Sequence, residues 1–161
     1  MKILIVYATK YGSTTKATLK LKEALNEEVS IVNIMENSLL PKLQNYDCVI
    51  LGGSIYMGKI QKQIRNYVDA NLSQLMTKRI GLFICAGSPN KSDREQEFVN
   101  AFPKKLYDHA VCKSLFGYQI DYEKMKWHDK FIMRIVSKSK ESVFELSEEV
   151  IEQFAKTIKS S

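Results

Sequence analysis

Residues 9–14 put the hydroxyls of Thr9, Ser13 and Thr14 into one short turn with a single glycine, in the order Thr9-Lys10-Tyr11-Gly12-Ser13-Thr14. Hydroxyls and backbone amides in such a turn suit a phosphate, provided that a helix starts there. A helix N-terminus offers unpaired N–H groups and the positive end of its dipole. The flanking residues predict that arrangement. Lys2–Ala8 is a near-continuous apolar run of the kind that forms a strand buried on both faces. Behind the turn Ala17, Leu21 and Leu25 recur at helical spacing, with Ala24 beside them. The ligand class is a nucleotide or a flavin. No GxxxxGK[ST] is present to reach a nucleoside triphosphate, and no GxGxxG to seat a dinucleotide. The turn has no cysteine, which argues against a phosphate-transferring cysteine loop, and Asp47 precedes its strand where a phosphoacceptor carboxylate would follow one.

The rest of the chain alternates strand and helix, which predicts a parallel sheet covered on both faces. Further strands are read at Val29–Ile34, Tyr46–Ser54, Arg79–Gly87 and Cys112–Ile120. Helices are read over about 60–75, near 93–102 and over roughly 147–158. In an open sheet of this kind the ligand sits beyond the carboxyl ends of the strands, where strand order reverses. In the flavodoxin-like doubly wound fold, which this alternation and the Thr9–Thr14 turn resemble, that point lies between the first and third strands. The third strand runs into Gly52-Gly53-Ser54-Ile55-Tyr56-Met57-Gly58. Its glycines are expected to let backbone approach a flat ring, with Tyr56 and Met57 as aromatic and polarizable faces. Ala86, Gly87, Ser88 and Asn90, after the fourth strand, would form a third wall.

At 161 residues with 45% hydrophobic and 26% charged residues, the chain is read as one globular domain, 1–161. It has no apolar run of the roughly 20 residues that cross a bilayer and no signal-peptide pattern, so a cytoplasmic location is expected. Cys48, Cys85 and Cys112 stand singly in apolar runs, which predicts buried thiols rather than disulfides or a metal site; Cys85 is set apart by lying near a strand end. The net charge of +6 points to anionic partners. No nucleic-acid module is visible, and none is expected to bind.

The turn resembles the flavodoxin pattern, an apolar strand ending in an aromatic, then x, Ser/Thr, two residues, a small residue, x, Thr. Ile5, Val6, Tyr7, Thr9, Gly12 and Thr14 carry the match, and Thr18 stands where that pattern usually has Ala. The resemblance implies a flavodoxin-like, doubly wound α/β fold with a five-stranded parallel sheet, and FMN as cofactor. The residues that would bind it are Thr9, Lys10, Tyr11, Gly12, Ser13, Thr14, Ser54, Ile55, Tyr56, Met57, Gly58, Ala86, Gly87, Ser88 and Asn90. Flavin chemistry requires no catalytic side chain, so none is assigned. Soluble flavodoxins are typically acidic, and this chain is basic.

A long connection, 120–142, separates the fifth strand from the last helix. Trp127, Phe131 and Ile135 recur every four residues, and Lys126, Lys130, Arg134 and Lys138 form a basic stripe beside them. Such a helix suits an anionic membrane surface or an anionic amphipathic ligand, or simply packs on the domain with its lysines solvated. The chain is similar over nearly its whole length to the flavodoxin-like, menaquinone-dependent protoporphyrinogen dehydrogenases of bacteria. The shared features are the Thr9–Thr14 loop, the Ser54-Ile55-x-x-Gly58 turn and the block Trp127-His128-Asp129-Lys130-Phe131. That resemblance implies oxidation of protoporphyrinogen IX by FMN, with electrons passed to a membrane quinone and peripheral contact with the inner face of the cell membrane. Lys126, Trp127, Lys130, Phe131 and Arg134 would meet substrate or membrane. The alternative is an electron-transfer flavodoxin serving another redox partner. His128 falls in the apolar arc and is read as packed or half-exposed, while His109 is read as a loop residue with no evident partner.

Overall fold

The computed structural model describes residues 1–37, 39–87, 90–117, 126–128 and 146–160. Its elements in chain order are β1 (Lys2–Ala8), α1 (Ser13–Leu25), β2 (Glu28–Asn33), a 3-10 turn (Leu43–Asn45), β3 (Cys48–Tyr56), β4 (Lys59–Ile60), α2 (Lys62–Leu75), β5 (Arg79–Cys85), α3 (Lys91–Ala101), α4 (Lys104–His109), β6 (Cys112–Leu115) and α5 (Glu148–Ser160). Five strands run parallel in the order β2-β1-β3-β5-β6, and β4 folds back antiparallel on β3. The chain moves outward from β1 to β2, then returns past β1 to build the other half. The reversal therefore falls between β1 and β3, at the predicted switch point.

The continuous apolar run of β1 has a direct cause. Ile3 and Ile5 face a core shared with Ala17, Leu21 and Leu25 of α1 and with Ile151, Phe154 and Ile158 of α5. Leu4, Val6 and Ala8 face the opposite core with Ile64 and Val68 of α2, Phe98 of α3 and Leu106 of α4. A strand covered by helices on both sides has no solvent face, so no polar alternation survives.

The structure departs from the sequence reading at several points, including the strand ends, since β5 stops at Cys85 and β6 at Leu115. Ile60, read as the start of a helix, belongs to β4, and the Met57–Gly58 turn joins it to β3 with both residues at positive φ, 49° and 74°. Two positive-φ residues are the signature of the type I′ hairpin turn, whose twist matches that of the flanking strands. The six-residue α4 was unforeseen, and it carries His109, whose Nε2 lies 3.0 Å from the Lys78 carbonyl oxygen. His109 thus has a structural partner. Gly52 and Gly53 do not open space for a ligand. A Cβ on Gly52 would fall 2.1 Å from the Phe83 ring, and one on Gly53 would fall 2.6 Å from Ile60. Both glycines exist so that core side chains can lie across β3. Most of 120–142 lies outside the described residues, with 126–128 the exception. All three cysteines are buried and unpaired, as their settings predicted, Cys85 included.

Candidate functional site

The carboxyl ends of β1, β3 and β5 meet at one edge of the sheet. From β1 the chain enters the hydroxyl turn, where the Gly12 N–H donates to Thr9 Oγ1 at 3.0 Å. Gly12 is the N-cap of α1 at φ 84°. A residue with a Cβ pays about 1–2 kcal/mol for that left-handed backbone, and glycine does not. Glycine also has no side chain with which to cap, and α1 has no acidic residue in its first turn. The first turn of α1 is therefore not capped by the side-chain oxygen that Ser or Asp would supply at that position. Such a turn is complementary to an anion.

A second observation supports a phosphate. Thr14 is fully buried, and its Oγ1 makes no hydrogen bond among the described residues. A buried hydroxyl without a partner costs free energy. The Cys85 thiol beside it is a poor substitute. Burial pushes that thiol up to about 12, and the Thr14 and Ser13 hydroxyls only partly offset the rise. A phosphate oxygen would give Thr14 the partner it lacks. Thr18, one helical turn along, is buried and likewise without a hydrogen-bond partner among the described residues, as is the Tyr11 hydroxyl. The residues present thus fit a phosphorylated ligand.

The second wall is the β3–β4 hairpin. Its parts divide between structure and surface. Ile55 is buried in the core and pairs with Ile60, so only its backbone faces the edge. Ser54 is turned inward as well: its N–H donates to Gln61 Oε1 at 3.1 Å, and Gln61 Nε2 donates to Ser54 Oγ at 2.5 Å. Tyr56 is half-buried, and Met57 is 72% exposed. Lys10 crosses from the first wall to the second, its Nζ 3.4 Å above the centre of the Tyr56 ring. Of the third wall, Ala86 is buried, Gly87 is half-buried, and Asn90 occupies the N-cap position of α3 without a side-chain cap, its Nδ2 donating to Asp93 Oδ2 at 3.0 Å. Ser88 lies outside the described residues, as do Lys130, Phe131 and Arg134. Lys126, Trp127 and His128 are exposed, Trp127 to 81%, and the His128 ring meets the Trp127 ring edge-on. His128 is therefore at the surface rather than packed in an apolar arc.

Sequence reasoning missed Glu97 of α3. One of its oxygens lies 4.0 Å from the point where a Cβ on Gly58 would sit, and the other is buried without a hydrogen-bond partner among the described residues. Burial raises its pKa, Asp93 raises it further, and Arg94 lowers it. A carboxyl with a raised native pKa favours folding at low pH and loses that advantage as pH rises. Glu97→Gln should therefore raise the melting temperature at pH 7, and the gain should vanish at about pH 3.5, below the ordinary Glu value. Equal melting temperatures at pH 7 would contradict the assignment of a strained charge there.

Two surface hollows lie away from this edge. One, of about 410 Å³, separates α1 from α5 and is spanned by the Lys20–Glu148 ion pair. The other, of about 650 Å³, lies between the 40–44 segment and α2. Neither collects the convergent amides and hydroxyls of the hydroxyl turn.

The comparisons with known proteins agree with this geometry. Protoporphyrinogen IX dehydrogenase [quinone] of Escherichia coli (strain K12) is 22% identical over 161 aligned residues, covering 94% of this chain and 87% of that protein. Among solved structures, a short-chain flavodoxin associated with a non-canonical PDU bacterial microcompartment superposes with a TM-score of 0.62 at 16% identity, over 99% of this chain and 97% of the other. A point mutant of Fusobacterium nucleatum flavodoxin, bound to flavin mononucleotide, gives 0.54 at 14% identity over 98% and 95%. A family profile for the flavodoxin domain matches residues 4–147, and the chain belongs to that family.

Proposed function

We propose that this chain is an FMN-dependent oxidoreductase that oxidises protoporphyrinogen IX to protoporphyrin IX and passes the electrons to a membrane quinone. The observation that carries the cofactor is the hydroxyl turn at the switch point. It has a glycine N-cap, a first helical turn without a side-chain cap and a buried Thr14 hydroxyl with no partner among the described residues. Bound there, FMN supplies the hydride and electron transfer. Thr9, Gly12, Ser13 and Thr14 would hold its phosphate, and the Tyr56–Gly58 turn and the Ala86–Gly87 backbone would line its ring. No protein side chain is needed as acid or base.

The substrate rests on two supports. One is the relative that acts on protoporphyrinogen IX with quinone, aligned over most of both chains. The other is the exposed pair Lys126 and Trp127, an aromatic beside a cation where an anionic porphyrinogen or an anionic bilayer would be met. A peripheral membrane position follows from this reading. Among the described residues no helix is long and apolar enough to cross a membrane. A second reading, an electron-carrying flavodoxin, is favoured by Met57, whose 72% exposure at the hairpin tip leaves the site edge open to a docking redox protein.

The deciding experiment adds purified, FMN-loaded protein to anaerobic protoporphyrinogen IX with a soluble menaquinone analogue and follows porphyrin fluorescence. The expected result is a protein-dependent rise above the no-protein and free-FMN controls. No rise, from protein whose absorbance shows bound FMN, would reject the enzyme reading and leave the electron carrier.

A further inference from the structure

The contact between Lys10 and Tyr56 is placed where it matters for the ligand. The ammonium stands 3.4 Å over the Tyr56 ring centre and 5.3 Å from that of Tyr11. Stacked aromatic rings keep their centroids about 4.5–7 Å apart. A flat ring cannot lie on that face of Tyr56 while the ammonium is there. The contact also joins the two walls, since Lys10 belongs to the turn after β1 and Tyr56 to the β3–β4 hairpin.

We propose that Lys10 is a gate on the ring-binding half of the site, its ammonium competing with the flavin ring for the face of Tyr56. The inference rests on the FMN reading above and adds a closed state to it. In that state a cation–π contact occupies the ring's place, and ring binding requires the lysine to swing out. A binding-competent state that is only partly populated weakens apparent affinity in proportion. An exposed cation–π contact contributes about 0.5–1 kcal/mol, so removing it should tighten ring binding by about 2–5-fold.

Riboflavin is the probe, because it carries the ring without the phosphate and so without any direct attraction to the lysine charge. Titrating FMN-free full-length protein by quenching of flavin fluorescence, Lys10→Ala should bind riboflavin about 2–5-fold more tightly than wild type, and Lys10→Arg should stay near wild type. Unchanged or weaker riboflavin binding by Lys10→Ala overturns the gate. FMN is titrated in parallel. If FMN binds wild type while riboflavin affinity is unmoved by Lys10→Ala, only the gate fails; if wild type binds no FMN, the cofactor reading fails and the gate with it. A second measurement needs no flavin. The Lys10 ε-methylene protons should be shifted upfield by the Tyr56 ring current and should move back in Tyr56→Leu. Identical shifts in wild type and Tyr56→Leu overturn the contact itself.

Discussion

Gly52→Ala is expected to lower the melting temperature by about 6–12 °C, although it adds one methyl group to a strand interior. The added Cβ would lie 2.1–2.6 Å from three atoms of the Phe83 ring, inside any real contact distance. A flexible side chain would swing away, but Phe83 cannot. It is fully buried, stacks on Phe116 at 4.6 Å between ring centres, and meets the edge of Phe154 at 6.5 Å. Phe154 also packs edge-on against Phe116, at 5.2 Å. Moving Phe83 therefore shifts the whole aromatic layer between the sheet and α5. Overpacking of a closed core costs about 1–3 kcal/mol, and occasionally more. The upper end applies because no ring in the triad has free space, and about 3 kcal/mol in a chain of this size corresponds to that temperature range. Thermal denaturation followed by circular dichroism measures it. A loss below about 2 °C would mean that the layer yields easily, and the tight packing inferred over β3 would be wrong.

The same residue shows where sequence reading succeeds and where it stops. Two glycines after an apolar strand signal that something comes close to the backbone. They do not say whether it is a ligand or a side chain from the neighbouring strand. Phe83 pairs with Gly52 across the parallel ladder, a contact that only the folded register reveals. By contrast, β1 and the hydroxyl turn were legible because their causes are local. A strand buried on both faces must be apolar throughout, and a glycine between hydroxyls must interrupt it. The β3–β4 hairpin was not legible, because a two-residue strand is too short to show a period and Ile60 continues the helical stripe of Ile64 and Tyr67. Nor was α4, six residues long. The partnership of Lys10 with Tyr56, the approach of Glu97 to Gly58 and the inward turn of Ser54 all join residues from separate elements. Sequence spacing carries no trace of them.

Thr14 is where legibility and function meet, and its substitution should have two effects of opposite sign. Thr14→Val keeps the β-branched shape and removes the hydroxyl. In FMN-free protein that hydroxyl is fully buried without a hydrogen-bond partner among the described residues, so its loss should stabilise the fold by about 1 kcal/mol, or about 2–4 °C. In the presence of FMN the balance reverses. A hydrogen bond to a charged group contributes about 1.5–3 kcal/mol, so losing it should weaken FMN binding by roughly 10–150-fold. Thr18→Val separates this from a general effect on the helix. Its hydroxyl is also buried without a partner among the described residues, but it lies one turn further along α1, about 6 Å from Thr14 along the helix axis. Thr18→Val should therefore stabilise the FMN-free protein as Thr14→Val does, yet leave FMN affinity within about twofold of wild type. The reading is that the buried hydroxyl of Thr14 is kept at a cost to stability because a phosphate satisfies it. Melting curves with and without FMN, with a fluorescence titration of each variant, measure both effects. Equal FMN affinity in wild type and Thr14→Val would move the phosphate off this turn, and the cofactor assignment built on it would fall.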